Sequence, residues 1–484
     1  MNYKMMGRFL SQVLTIECVF MVPALVISLF ARETGAVRGF LMTLAAIALL
    51  ALFLRLVCRS SPSAFYAREG LVCVGMSWIV LSAVGCLPFY ISREIPRYID
   101  CFFEMVSGFT TTGSSILSDV ESLSSGILYW RSFSHWLGGM GVLVFLLAFT
   151  PSDNQGAGFT MHLLRAESPG PDVGKMTPKL RTTAVILYGI YVALTALDFV
   201  LLLLGGMTPL EAICTAFGTA GTGGFGVRND SLASFSPYLQ NVTTIFMLLF
   251  GINFTCYYLI LIGQAGSVFK DEELRLFLGL FVVCAGLIAL NVRGLYNTWE
   301  ETLRHSAFQV ATIISTTGYA TTDFDLWPAF SKGLLMLLMI VGSCAGSTAG
   351  GLKLSRLLLL LKSLGRNIRQ VLSPRKVERI RINGRVVSEA VLDNANAYLA
   401  AYFLIIVVVY LIISLDGFSV GTNLTAALAC FNNIGPGLEQ VGPTCNFSQF
   451  STLSKLTLSL AMLAGRLEIF PILILFSKDT WVRR

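Results

Sequence analysis

Long stretches of apolar residues, each about the length needed to cross a membrane, follow one another along the chain with few charges inside them. Because about 20 apolar residues in a helix span the hydrocarbon core of a bilayer, each stretch predicts a transmembrane helix. The predicted spans are 9–31, 38–57, 70–91, 128–149, 183–205, 240–264, 274–292, 332–361, 396–415 and 454–476.

Shorter semi-apolar segments lie between these spans, and each is followed by a glycine-centred turn. They are too short to cross a bilayer and therefore predict re-entrant helices. From residue 70 onward the unit of span, short helix, glycine turn and span recurs four times, which indicates an internally duplicated architecture. The predicted re-entrant helices are 98–110, 208–219, 302–314 and 421–431.

The composition agrees with a polytopic membrane protein. Hydrophobic residues make up 55% of the chain and charged residues only 13%, about half the charged share of a soluble domain, and the mean hydropathy is +0.71. The 11 cysteines form no CxxC pair and the 3 histidines are scattered, so neither a disulfide framework nor a metal centre is indicated. The first apolar stretch is too long for a signal peptide and predicts a retained span.

Basic residues are distributed unevenly between the two sides of the predicted spans. A cytoplasmic N-terminus places most of the 35 basic residues on the cytoplasmic side, as the positive-inside rule requires. Ten of them lie between Lys353 and Arg385, a stretch here called the basic segment. The basic segment is interpreted as a solvated loop or as a docking surface, and the sequence leaves both open.

The four glycine turns carry the candidate chemistry. A short helix that ends inside the membrane directs its carbonyl end at whatever lies beyond it, and the carbonyls of the next extended residues can replace the water shell of a monovalent cation. One such turn alone is more typical of packing, but four at matching positions favour a cation filter. Aligning the turns on their glycines gives Thr111-Thr112-Gly113, Gly221-Thr222-Gly223, Thr316-Thr317-Gly318 and Asn433-Ile434-Gly435.

Small residues interrupt one otherwise apolar span at 342–351, here called the small-residue loop. This run is compatible with close helix packing or with an unwound, movable segment, which its poor helix propensity favours. The glycine-rich WLGGMG at 136–141 is assigned to packing. The candidate gate residues are Gly342, Ser343, Gly346, Ser347, Gly350 and Gly351.

Arg466 is the basic residue deepest in a predicted span, where a charge is costly and is a functional candidate by default. The alternative is a structural salt bridge to another span, and Glu468 lies on a different helix face. Acidic residues near the predicted outer mouth concentrate cations or cap the short helices, and none is predicted as a ligand. They are Asp100, Glu104, Glu211, Asp323, Asp325 and Glu439.

Several stretches together resemble TrkH-type potassium transport subunits of the TrkH/KtrB/HKT superfamily, over nearly the whole chain. Beside the four turns they are REG at 68–70, WLGGMG at 136–141, NF at 253–254, GSCAGSTAGGLK at 342–353 and AGRLEIFP at 464–471. The resemblance implies potassium as the filter-bound, transported ion, a gate at the small-residue loop, and a pore-facing Arg466. It also implies a homodimer on cytosolic, nucleotide-binding TrkA-type (RCK) subunits, with 151–182 and the basic segment as docking surfaces.

The predicted fold is an all-α polytopic membrane protein with four pseudo-repeats around one pore. We predict an N-terminal transmembrane hairpin at 1–69, pore repeat 1 at 70–150, a cytoplasmic loop at 151–182, pore repeat 2 at 183–265, pore repeat 3 at 272–361, a basic cytoplasmic segment at 362–391 and pore repeat 4 at 392–484.

The sequence has neither a phosphate-binding GxxxxGK[ST] loop nor a dinucleotide fingerprint in a strand–helix context, and it has no catalytic cluster. We therefore predict a transporter rather than an enzyme, with no organic cofactor and with lipid but no nucleic acid as partner. The expected function is gated, channel-like potassium uptake across the bacterial cytoplasmic (inner) membrane. The alternative is a symporter that couples potassium to protons or sodium, which needs a second ion site and alternating access.

Overall fold

The computed structural model describes residues 3–58, 67–141, 180–375 and 378–481. Almost all regular structure in these residues is helical, which confirms the predicted all-α class. The predicted cytoplasmic loop at 151–182 and the inner end of the predicted span 128–149 fall largely outside the described residues.

The described helices are grouped below by the predicted hairpin and the four predicted repeats. The hairpin consists of Tyr3–Phe30 and Thr34–Val57. Repeat 1 contains Ala67–Gly85, Leu87–Ser92, Tyr98–Phe109 and Ser125–Met140, and repeat 2 contains Leu180–Leu204, Pro209–Gly221, Pro237–Gly251, Phe254–Leu261 and Ala265–Val268. Repeat 3 contains Glu272–Val292, Trp299–Ile314, Ala329–Val341 and Leu354–Leu372, and repeat 4 contains Glu389–Ile413, Val420–Phe431, Thr452–Arg466, Phe470–Phe476 and Lys478–Trp481.

Six helices in the described ranges are long and apolar enough to cross a membrane, and the bent pair Pro237–Gly251 and Phe254–Leu261 makes a seventh if it counts as one span. Large apolar side chains such as Leu49, Phe53 and Leu404 are exposed on these helices. Such exposure suits a surface that faces lipid rather than water.

The re-entrant helices of repeats 2, 3 and 4 begin with side-chain caps that the sequence encodes. Thr208 and Glu211 form a reciprocal capping box at the start of Pro209–Gly221. Thr298 and Ser419 accept hydrogen bonds from backbone N–H groups three residues further on. These caps satisfy donors that a helix leaves open at its N-terminus.

The predicted second spans of repeats 2 and 4 are wrong as continuous helices, whereas that of repeat 3 is interrupted at the small-residue loop, as its sequence favours. The span 240–264 bends by 89° between Gly251 and Phe254, and the span 332–361 breaks between Val341 and Leu354. The span 454–476 breaks after Arg466, where Glu468 and Ile469 have positive φ angles. Hydropathy measures the length of an apolar run. It does not detect these breaks, because the residues around them stay apolar while their freed backbone groups form hydrogen bonds inside the protein.

The basic segment is folded rather than a solvated loop at its beginning. Lys353 and Arg356 are buried, and Leu354–Leu372 carries the basic residues that follow. Strands Arg381–Ile382 and Arg385–Val386 then pair antiparallel. Asn383 and Gly384 form their two-residue turn with φ angles of 48° and 76°, the positive values that such tight hairpins need.

Candidate functional site

The four re-entrant helices end in the same way. The residue after the last helical turn has a left-handed backbone in each repeat, with φ between 55° and 56°. The next residue donates its N–H to the carbonyl five positions earlier, over 2.8–2.9 Å, which is the Schellman ending of a helix. The left-handed residues are Thr111, Thr222, Thr316 and Asn433, and the donors that follow are Thr112, Gly223, Thr317 and Ile434.

This shared ending shifts the predicted register in repeat 2 by one residue. Thr222 corresponds to Thr111, so the positive-φ glycine that matches Gly113 is Gly224, and the alignment on Gly223 was wrong. Gly221 is the last residue of its helix. The alignment failed because GTGG offers two adjacent glycines, and only the backbone angle at Thr222 distinguishes them.

The turns contact one another in a closed cycle. A Cβ atom added to Gly113 would lie well under 3.0 Å from the carbonyl oxygen of Gly223, which precedes the turn glycine of the next repeat. The same clash relates Gly224 to Thr317 and Gly318 to Ile434, and a Cβ on Gly435 would lie 3.0 Å from the carbonyl oxygen of Thr112. Each turn glycine therefore packs against one ring carbonyl of the following repeat. The ring carbonyls are those of Thr112, Gly223, Thr317 and Ile434.

A cavity of about 110 Å³ adjoins this ring, and all four turn glycines line it. Arg131 and Pro436 also line it. Because Gly224 and not Gly223 lines the cavity, the shifted register places equivalent residues at equivalent positions in all four repeats.

Buried polar side chains support the ring from behind. The Thr110 and Thr112 hydroxyls lie 2.8 Å apart in repeat 1, and the matching pair of Ser315 and Thr317 lies 2.7 Å apart in repeat 3. In repeat 4 the left-handed residue Asn433 donates its side-chain amide to the Thr112 hydroxyl over 2.9 Å. These side chains are therefore part of the support for the carbonyls.

His135 fills the space beside Gly223, where an added Cβ would overlap its ring. Its Nδ1 lies 2.8 Å from the Gly108 carbonyl, and its Nε2 lies 3.3 Å from the N–H of Phe225. This pattern fits a neutral ring that donates from Nδ1 and accepts at Nε2. His135 thereby connects the re-entrant helix of repeat 1 to the turn of repeat 2.

The small-residue loop is non-helical and contacts two of the turns. Its Gly342, Gly346 and Gly351 have positive φ angles, which glycine adopts without steric cost. The N–H of Gly350 donates to the Thr316 hydroxyl over 2.7 Å, and a Cβ added to Gly350 would meet the Asn432 carbonyl and the Asn433 side chain. The prediction of an unwound segment is thus confirmed for this span.

The remaining loop residues pair with the break in repeat 2. The N–H of Cys344 donates to the Gly251 carbonyl over 3.2 Å, and the N–H of Phe254 donates to the Gly346 carbonyl over 3.0 Å. The Ser343 and Ser347 hydroxyls lie 3.3 Å apart within the loop. The bent helix of repeat 2 therefore supplies the hydrogen bonds that a continuous helix would have made within itself.

Arg466 donates hydrogen bonds to backbone carbonyls of two repeats. Its guanidinium donates to the Thr348 carbonyl of the small-residue loop over 2.7 Å, and to the Gly138 and Gly139 carbonyls over 2.5 and 2.7 Å. Glu468 pairs with Arg356 instead. Arg466 therefore connects the loop of repeat 3 to the helix end of repeat 1.

The sequence matches the TrkH family of cation transport proteins over residues 37–481. The chain belongs to the TrkH family. It is 34% identical to the Trk system potassium uptake protein TrkH of Salmonella typhimurium, over 99% of this chain and all of that protein. It is 32% identical to TrkG of Escherichia coli, over 95% of both chains.

The fold agrees with this membership. The crystal structure of the potassium transporter TrkH from Vibrio parahaemolyticus superposes with a TM-score of 0.89 and 31% identity, covering both chains completely. The predicted resemblance and the multi-pass membrane fold are confirmed. The family consists of transport proteins, so the prediction of a transporter rather than an enzyme is confirmed as well.

Within this TrkH-family fold, the acidic residues predicted near the outer mouth serve mostly as caps and ion-pair partners. Glu104 is buried and receives hydrogen bonds from Arg131 over 2.6 Å and from the Ile116 N–H over 2.9 Å. Glu439 accepts from the Ser419 and Thr422 hydroxyls, which keep the pKa of its carboxyl below the usual value. The others pair or cap: Asp100 with Lys455, Glu211 with Arg228, Asp325 with Lys332, and Asp323 at a 3₁₀ turn.

Sequence reasoning missed three charged residues of this TrkH-family chain. Asp198 is fully buried in Leu180–Leu204, although a lone acid in an apolar run was a usable signal. Lys353 was grouped with the solvated basic segment, but it is buried and donates to the Ala349 carbonyl of the small-residue loop. Glu273 gave no functional signal in the sequence, because acidic residues are common in the first turn of a helix.

Proposed function

We propose that this chain mediates potassium uptake across the bacterial cytoplasmic membrane through a filter formed by the four ring carbonyls. The observation that carries the proposal is the closed cycle in which each turn glycine packs against a ring carbonyl of the next repeat. Carbonyl oxygens held in such a ring replace the hydration shell of a monovalent cation. Potassium is the transported ion because the named relatives are potassium uptake proteins.

The small-residue loop acts as the gate of this pathway. It lies directly against the turns of repeats 3 and 4 through Gly350, and it lacks the continuous helix that would make it rigid. Arg466 holds it through the Thr348 carbonyl. A loop with glycine at several positions can change its backbone angles at low cost, so release of this contact opens the pathway.

Control by the energy state of the cell comes from a cytosolic partner. The chain acts as a homodimer, with its N-terminus in the cytoplasm, on a ring of TrkA-type nucleotide-binding subunits. The folded part of the basic segment, from Leu354–Leu372 through the hairpin at 381–386, supplies the docking surface.

Coupled symport is the second candidate, and two buried acids favour it. Glu17 and Asp198 lie inside predicted spans, and neither carboxyl has a hydrogen-bond partner among the described residues. Intramembrane acids of this kind mark proton or ion sites in many transporters. Channel-like conduction does not require them.

The reversal potential of the purified protein in liposomes, under opposed potassium and proton gradients, tests both candidates. A potential that follows the potassium gradient at every pH supports conduction through the filter. A potential that shifts with the proton gradient, and that loses this shift in Asp198→Asn, supports coupling. Liposomes that carry no potassium current or flux under any gradient contradict the proposed uptake.

A further inference from the structure

A single oxygen atom of Glu273 connects the first half of the small-residue loop to the helix that follows the loop. Its Oε1 accepts the N–H of Ala345, near the start of the loop, over 2.7 Å. The same oxygen accepts the N–H of Ser355, in the first turn of the helix that follows the loop, over 2.9 Å. We propose that Glu273 is a positioning residue that holds this loop in its closed arrangement, an inference that rests on the gating role proposed above.

The charge of Glu273 suits this role. Backbone N–H groups that donate to a carboxylate form stronger hydrogen bonds than those that donate to a neutral group. Glu273 lies in the first turn of Glu272–Val292, where the helix dipole also favours a negative charge. Arg466 holds a carbonyl of the same loop. The loop is therefore held by an anion at Ala345 and by a cation at Thr348.

The residues beside Glu273 connect it to the cytoplasmic hairpin. Asn383, in the hairpin turn, donates its amide to Asp271 over 2.6 Å and its N–H to Glu272 over 3.0 Å. The N–H of Glu272 returns a bond of 2.9 Å to the Asn383 side chain, and Lys362 pairs with Glu272. Hairpin and loop thus hold consecutive residues of one helix start.

This arrangement gives the docking surface a route to the gate. A displacement of the hairpin moves the backbone of residues 271–273, because Asn383 holds that backbone and its side chains from the cytoplasmic side. Glu273 then moves relative to Ala345 and Ser355, and the loop loses its anchor. The second half of the proposal is that hairpin movement opens the loop through Glu273.

Cys344 offers a direct readout of loop position. It lies in the loop and is 1% exposed, whereas Cys445 is exposed and reports reagent access in every sample. We would label the full-length protein in liposomes with a small maleimide and quantify both cysteines by peptide mass spectrometry. Potassium flux is measured on the same liposomes.

Substitutions at Glu273 separate its hydrogen bonds from its charge. Glu273→Ala is expected to raise the Cys344 labelling rate about tenfold or more, as expected for loss of two charge-assisted bonds, and to raise flux. Glu273→Asp keeps the charge but shortens the side chain, so it is expected to behave like Glu273→Ala. Glu273→Gln keeps an acceptor oxygen at the same distance but loses the charge, so its labelling rate is expected to lie between those of the wild type and Glu273→Ala.

Glu378→Ala is the charge-matched control, because Glu378 pairs with Arg369 on the cytoplasmic side. It is expected to leave Cys344 labelling unchanged. If Glu273→Ala does not yield a folded protein, the comparison of Glu273→Asp with Glu273→Gln decides. Wild-type labelling and flux in Glu273→Asp would overturn the positioning role.

Asn383→Gly tests the route from the hairpin. Glycine keeps the tight turn but removes the side-chain bonds to Asp271 and Glu272, so labelling is expected to rise to a level between wild type and Glu273→Ala. Unchanged labelling in Asn383→Gly, beside raised labelling in Glu273→Ala, would overturn the route and leave the positioning role intact. Wild-type liposomes without potassium flux would contradict the proposed function instead, whatever the labelling shows.

Discussion

Gly113 shows how closely the repeats approach one another at a single residue. Its φ is 81°, and an added methyl group would overlap the Gly223 carbonyl. Gly113→Ala is therefore expected to reduce potassium flux about tenfold or more, given the cost of a side chain at a strained backbone position. Flux into proteoliposomes measures this.

Gly333→Ala is the matched control for Gly113→Ala. Gly333 lies in the helix Ala329–Val341, and a Cβ there would have no atom within 4 Å. Flux through Gly333→Ala is expected to equal that of the wild type. Equal flux through both variants would contradict the proposed ring.

Arg466 carries the second prediction at this scale. Arg466→Ala removes the donors that hold Thr348, Gly138 and Gly139, and hydrogen bonds to a charged group contribute about 1.5–3 kcal/mol each. Flux is expected to rise severalfold, because the loop loses its contact with repeat 1. Flux and gating identical to the wild type in liposomes would argue against a role in control.

Single residues also show what could be predicted from the sequence. Arg466 was identifiable because a charge in an apolar span is conspicuous. Glu273 was not, because its partners Ala345 and Ser355 are backbone groups more than 70 positions away that leave no side-chain pattern. Gly224 was not, because the choice between adjacent glycines depends on the backbone angle at Thr222.

At the scale of elements, the buried pair of Glu104 and Arg131 joins the re-entrant helix of repeat 1 to the helix that follows it. Glu104 also holds the extended chain after the turn through Ser115 and Ile116. Glu104→Ala leaves Arg131 buried without its carboxylate partner, which costs about 3–5 kcal/mol in comparable cases. A markedly lower unfolding temperature in detergent is expected.

The pair of Glu300 and Arg304, whose carboxylate is exposed, provides the comparison for Glu104→Ala. The Glu300 side chain keeps 62% of its surface in solvent, and a helical pair of this spacing with an exposed member contributes little. Glu300→Ala is expected to leave the unfolding temperature nearly unchanged. A loss of stability as large as that of Glu104→Ala would contradict the assignment of the buried pair as the stronger tie.

The number and order of elements could largely be predicted, but the breaks within them could not. The re-entrant helix predicted at 98–110 is Tyr98–Phe109, because the length of an apolar run is visible in the sequence. The break between Gly251 and Phe254 was missed because its stabilising bonds come from the small-residue loop, almost 100 residues later. Hydropathy windows contain no information about such distant partners.

At the scale of the whole molecule, the basic segment is expected to determine partner binding. Replacing Arg375, Lys376, Arg379 and Arg381 with Gln removes positive charge, while the hairpin backbone pairing remains; Lys376 itself lies outside the described residues. Binding to a TrkA-type ring is expected to weaken at least tenfold, with stronger salt dependence in the wild type. Pull-down of the ring at several salt concentrations measures this.

An unchanged affinity of the fourfold variant would exclude the basic segment as the docking surface. The loop at 151–182 would then be the remaining candidate from the sequence, and its own basic residues would be replaced next. Potassium flux in the absence of TrkA-type subunits serves as the control. Because the four substitutions lie away from the ring carbonyls, this flux is expected to remain unchanged.

The closed cycle of turns has one further consequence, because a single chain supplies all four turns of the proposed filter. In a pore made of four identical subunits, any substitution alters every quarter at once. Here Thr112, Thr317 or Ile434 can each be substituted alone. A single substitution therefore measures how much one repeat contributes to ion preference. The natural chain already contains such an asymmetry, since repeat 4 carries Asn433 and Ile434 where repeats 1 and 3 carry two threonines.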